Sequence, residues 1–137
     1  MNSACKDITI FLKEDSTLCN LFSVPASPDI YYSEDPDLPR QHLTVFDSGG
    51  FPLDLSMYYE RPTVQIKITA LSYDQAYSIA EQVKIVLCGI QNREESDETA
   101  RYIAIWPMGD VLSLGKNDKG LHMITANYRI HRTPTTY

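Results

Sequence analysis

The sequence predicts an α+β fold: a mostly antiparallel β-sheet with two helices packed on one face, and long loops. Three observations carry this. Residues 61–83, RPTVQIKITALSYDQAYSIAEQV, change hydrophobic period midway. Val64, Ile66, Ile68 and Ala70 alternate with polar neighbours, the period of a half-buried strand, and from Tyr73 the spacing becomes helical. The last third reads as three strands separated by turns. Finally, 137 residues with 43% hydrophobic and 22% charged side chains suit one domain, 1–137, with a core of its own.

The elements follow in order. Residues 4–13, ACKDITIFLK, place Ile8, Phe11 and Leu12 at helical spacing, although Ile8, Thr9 and Ile10 are β-branched. Residues 24–40 hold four of the eight prolines, which excludes helix and leaves Ile30–Tyr32 as a short edge strand. HLTVFD (42–47) reads as a strand ended by SGGFP, and residues 48–62, with Gly49, Gly50, Pro52 and Pro62, read as a long loop. Residues 63–70 form the next strand.

Ser72 is a suitable N-cap, with Gln75 three residues on and Asp74 in the first turn, so a helix is expected from Tyr73 to Leu87, stopping near Gly89. Its core stripe is expected to be Ala76, Tyr77, Ala80, Val83 and Leu87, packed on Val64, Ile66 and Ile68. IQNREESDETAR (90–101) reads as an exposed loop. YIAIW (102–106), VLSL (111–114) and LHMITANYRIH (121–131) are strands, with GKNDKG (115–120) as the turn between the last two.

Charge and cysteine usage narrow the function classes. The net charge is −6, unevenly placed: residues 1–60 hold ten acidic against three basic side chains, and residues 61–137 hold eight against nine. No basic stripe exists, which disfavours a tight nucleic-acid binder. Cys5, Cys19 and Cys88 are odd in number and contain no C-x-x-C pair, so reduced and mostly buried thiols are expected. No apolar run is long enough for a membrane span and no secretory leader is visible at the N-terminus, so synthesis in the cytosol is expected.

No constellation for chemistry emerges. Gly49-Gly50 lacks the Lys-Ser/Thr partner of a phosphate loop. GKNDKG lacks the alternating ligands and closing Glu of a calcium loop. His42, His122 and His131 each fall in a strand, with no carboxylate or cysteine at a catalytic or metal spacing. No cofactor, metal or catalytic residue is expected, and the residues alone describe an α+β domain with functional-looking loops.

One ordered set of segments is more specific. The strand with VQI, the helix start SYDQAY, the hairpin GDVLSLGKNDKG and the final strand with NYRI, preceded by TVFDSGGFP at 44–52, resemble the tail-terminator proteins of long-tailed bacteriophages. The likeness spans about residues 40–134. Where that family often has a basic residue before the Asp of the hairpin turn, this chain has Asn117, and where it often has Arg after the turn glycine, this chain has Leu121.

The resemblance implies a non-enzymatic virion protein at the neck end of the tail, assembled in the host cytoplasm. It implies a hexameric ring that caps the tail tube, meets a head–tail connector or neck protein, and lets phage DNA pass unbound. The residues then offered to partners are Asp47, Phe51 and Arg61 around the 48–62 loop, with Asp110, Lys116, Asn117, Asp118 and Lys119 around the hairpin and Arg129 in the last strand. A neck or head-completion protein is the nearest other reading, and a small ligand-binding α+β domain a more distant one.

Overall fold

The computed structural model describes residues 3–36, 38–54, 59–94 and 100–134, without the side chains of 51–54, 59 and 134. Helix α1 (Ala4–Lys13) buries Ile8, Phe11 and Leu12 as its spacing predicts. A short helix α2 (Ser16–Cys19) follows, its start capped by the Asp15 carboxylate accepting from the Leu18 N–H. This third helix was not expected, because four residues are too few to show a period.

Strand β1 (Ile30–Tyr32) is the expected edge strand and pairs parallel with β2 (His42–Asp54). β2 turns back into β3 (Tyr59–Ala70), and the two pair antiparallel from His42↔Thr69 to Asp54↔Tyr59. The stretch 48–62 read as a loop is therefore mostly the outer part of a long hairpin. Its glycines and prolines are tolerated because the ladder is irregular there: the register slips between Asp47 and Gly50 and again between Phe51 and Asp54. Gly49 has φ +92° and Gly50 φ +152°, and a Cβ on Gly50 would lie 2.6 Å from the Arg61 carbonyl oxygen. The two glycines thus make the bulge.

Helix α3 (Tyr73–Cys88) begins where expected, with the Ser72 hydroxyl accepting from the Gln75 N–H, and Gly89 is its C-cap. Its buried stripe is Ala76, Ile79, Ala80, Val83 and Leu87. Tyr77 is exposed instead of Ile79, against expectation. One residue advances the helix by about 100°, so a stripe through 76, 80, 83 and 87 passes through 79 and leaves 77 on the flank. Strand β4 (Gln91–Glu94) lies in the segment read as a loop; its side chains have no apolar alternation, and it forms by pairing with β5 (Ala100–Pro107). β6 (Leu112–Lys116) and β7 (His122–Pro134) complete the sheet, so Gly115 and Lys116 belong to a strand and the turn is Asn117–Gly120.

The strand order is β1-β2-β3-β7-β5-β4, with β6 also on β7. Every pairing except β1–β2 is antiparallel. β5 pairs with residues 128–134 of β7 and β6 with residues 122–125, so the two lie in line, interrupted by residues 108–111. Helices α1 and α3 both pack on one face. There Val64, Ile66, Ile68, Ile124 and Ile130 are fully buried. Side chains on the other face are more polar, including Gln65, Lys67, Asn127 and Arg129.

Candidate assembly interface

The register of β3 fixes where the two candidate elements stand. Its first residue, Tyr59, opposes Asp54 at the outer end of the β2–β3 hairpin, and its last, Ala70, opposes His122 beside the Asn117–Gly120 turn. Twelve residues separate the two ends inclusively, a span of roughly 36 Å at strand rise. The hairpin end and the turn therefore lie at opposite ends of the same sheet.

The turn is built by Asn117. Its side-chain oxygen accepts from the Lys119 N–H at 2.9 Å and the Leu121 N–H at 2.9 Å, while its backbone N–H donates to the Leu121 carbonyl and its carbonyl accepts from Gly120. Gly120 sits at φ +77°. Asn117 thus shapes the turn, and Lys116, Asp118 and Lys119 stand exposed around it.

At the other end Phe51 opposes Arg61, which is half-buried. Asp47 faces the helices: its carboxylate accepts from the Cys5 N–H at 3.0 Å and from the Cys5 thiol at 3.3 Å, holding the first turn of α1. Burial, first, and this bond push the Cys5 thiol pKa up. Arg129 is exposed on the open face between Thr63 and Trp106, its guanidinium 5.2 Å from the Trp106 ring centroid. Asp110 lies apart from all of these, in the connection between β5 and β6. It borders a cleft of about 350 Å³ against Tyr77, Lys84 and Ile85 of α3. The nine residues named from the sequence therefore fall into separate places: the hairpin arm, the open face, the turn and the cleft rim.

Two polar networks were not legible beforehand. The Tyr102 hydroxyl donates to Asp7 at 2.6 Å, and Arg132 donates to Tyr102 at 3.1 Å and to Glu60 at 2.8 Å. Asp7 and Tyr102 are fully buried. Desolvation, then the bond to Asp7, raise the Tyr102 pKa far above that of a free phenol. This network ties α1, β5 and β7 to Glu60 of β3, near the outer end of the β2–β3 hairpin. At the opposite end Arg40 donates to Asp29 at 2.7 and 3.1 Å, and Asp35 meets buried His42 at 2.9 Å and Lys67 at 2.8 Å. Those bonds fasten the proline-rich segment onto the sheet. All these partners are distant in sequence or set in an aperiodic segment, so no spacing announces them.

Cys5 and Cys19 are buried as expected, while Cys88 is exposed. Among the described residues no three His, Cys, Asp or Glu side chains gather as a metal site, and no helix is long and apolar enough to cross a membrane. A mostly antiparallel sheet with helices on one face, and the Asn117–Gly120 turn at one end, defines an α+β module. The family model described as bacteriophage tail terminator protein matches residues 18–134, and the chain belongs to that family. It is accordingly a structural protein of a phage-type tail.

Solved structures share the fold. A chain from the virion of a native gene transfer agent particle is 14% identical, with 95% of this chain and 94% of that one covered and a TM-score of 0.74. A second solved chain is 12% identical, with 93% and 96% covered and a TM-score of 0.53. Among curated protein sequences there is no match.

Proposed function

We propose that this protein forms a ring, hexameric by its family resemblance, that caps the head-proximal end of the tail tube, ends its growth and presents a surface to the head–tail connector. It carries out no chemistry. A stack of rings joined head to tail has no intrinsic end, because each added ring recreates the face it bound. A terminating ring needs one face that copies the tube's partner surface and another that does not. Beyond family membership, the observation that carries this reading is the placement of two unlike elements, the glycine-bulged arm and the Asn117 turn, at opposite ends of one sheet. One end is suited to the tube and the other to the connector. The net charge of −6 suits a passage through which DNA slides without being held.

The test is polymerisation of the cognate tube protein with and without this chain. Wild type is expected to leave discrete tubes capped at one end, and omission to leave overlong tubes. A variant with Lys116, Asp118 and Lys119 changed to Ala is expected to fold normally and cap poorly. Identical tube lengths with and without the wild-type protein would remove the terminator reading in favour of a neck protein.

A further inference from the structure

The edges of the sheet are left open in a complementary way. Among the described residues β6 has one strand neighbour, β7, and all five of its residues are exposed. Leu112 is 61% and Leu114 47% exposed. Edge strands of soluble proteins are usually blunted by charge, proline or a cover, because their free N–H and C=O groups accept another strand. β6 ends in Lys116 and is bulged between Ser113 and Gly115, yet it leaves two leucines exposed along its length. On the opposite side of the sheet, β1 covers only Leu43–Val45 of β2, and among the described residues no strand lies along the outer edge of residues 46–54.

The two free edges also run the right way. From β2 through β3 and β7 to the β5–β6 line there are four strand positions of alternating direction, so β2 and β6 are antiparallel. A copy added by rotation would lay its β2 antiparallel to β6 of its neighbour and continue the alternation without a break. Leu112 stands level with Thr44 through Thr125 and Lys67, inside the part of β2 that β1 covers. Asp47 stands level with Pro107, and β4 covers Arg101–Ala104 of β5. The free stretches are thus diagonal across the sheet. Joining them shifts successive copies by about five residues, ~17 Å along the strand. A stagger between neighbouring copies is what strands tilted to a ring axis require for closure. Charge favours the same contact: residues 46–54 hold two Asp and no basic residue, whereas residues 112–119 hold two Lys and one Asp.

We propose that β6 of one copy pairs antiparallel with the outer edge of β2, residues 46–54, of the next, so that successive sheets join edge to edge around the ring. The junction rests on the ring reading above and names its contact. It also explains why β6 keeps leucines on its surface: they are covered once the neighbour is seated.

The wild-type protein, alone and with tube ends, is weighed by native mass spectrometry alongside a Leu112→Lys, Leu114→Lys double variant. A Leu114→p-benzoylphenylalanine variant is photo-cross-linked in a mixture of isotopically light and heavy copies. A ring for wild type is expected, with monomers of unchanged melting temperature for the lysine variant and light–heavy cross-links mapping to residues 46–54. Cross-links confined to other segments within an intact ring, or a lysine variant that still forms rings, would overturn the edge junction and leave the ring reading standing. Cross-links from β6 to tube protein would overturn it also, assigning this edge to the tube. Wild-type protein that stays monomeric alone and on tube ends would remove the ring reading, and the junction with it. Because the cross-link is read on folded rings, it decides the matter even if the lysine variant misfolds.

Discussion

The two ends of the sheet are held by different kinds of bonding. At the arm end, Arg132, Tyr102, Asp7 and Glu60 form a largely buried network joining α1, β3, β5 and β7. At the turn end, Asp29–Arg40 and Asp35–His42–Lys67 clip an extended segment to the rim, and Arg40 is half exposed. A buried network resists disruption strongly because losing one member strands a charge away from water. Partly exposed pairs add little each and are weakened by salt. The arm end is therefore held firmly by construction, whereas the turn end depends on solution conditions and on the local geometry of Asn117.

The largest expected effect tests the arm end. Arg132→Met removes the guanidinium beside buried Asp7 and should cost about 3–5 kcal/mol, read as a shifted urea midpoint. A loss below about 1 kcal/mol, the scale of a surface pair, would show that the two ends are held alike.

Next comes the bulge. A side chain on Gly50 meets the Arg61 carbonyl at 2.6 Å and Pro62 Cα at 2.8 Å. Gly50→Ala should therefore cost more than ~1 kcal/mol. Faster amide exchange should be confined to β2 and β3 beyond Asp47, with the α3 core protected. Unchanged exchange in the arm would mean the bulge does not set its shape.

The turn gives a smaller effect. Asn117→Ala removes two hydrogen bonds to backbone N–H groups and should cost roughly 1–2 kcal/mol, while Asp118→Ala should stay within ~0.5 kcal/mol. Equal melting temperatures for the two variants would deny Asn117 its shaping role.

The smallest effect concerns acid. Arg40's hydrogen bonds lower the Asp29 pKa; burial opposes the charge of Asp35, yet Lys67 and His42 outweigh it and its pKa is lowered too. Groups depressed in the folded state contribute stability above their unfolded pKa, about 3.9, and lose it as pH falls through the folded value. Urea midpoints should thus fall between pH 6 and pH 3, and less steeply in Asp29→Asn. Parallel pH dependence in the two proteins would show that this clip contributes nothing.

Legibility followed the range of the forces involved. Ser72, the 63–70 strand and Gly89 could be read because capping and periodicity act within a few residues. The 48–62 hairpin read as a loop because glycine and proline argue locally against strand, and the pairing of β2 with β3 overrode them. Tyr77 was misplaced because it shares an apolar character with its stripe but lies a helical step away. Among the proposed contact residues, Lys116, Asp118 and Lys119 are exposed at the turn as their composition suggested, whereas Asp47 is bonded to Cys5, a residue 42 positions away.

The sequence by itself determined the class, the helix–sheet core and the absence of a basic stripe. These depend on composition, on periods of 2 and 3.6, and on caps, all written in neighbouring residues. Only the tertiary structure decided that the arm is paired, that Asp7 meets Tyr102 and Arg132, and that β2 and β6 are left with diagonal open edges. Such features come from strand register and long-range contact, where the partner is chosen by the whole sheet and leaves no mark in the local sequence.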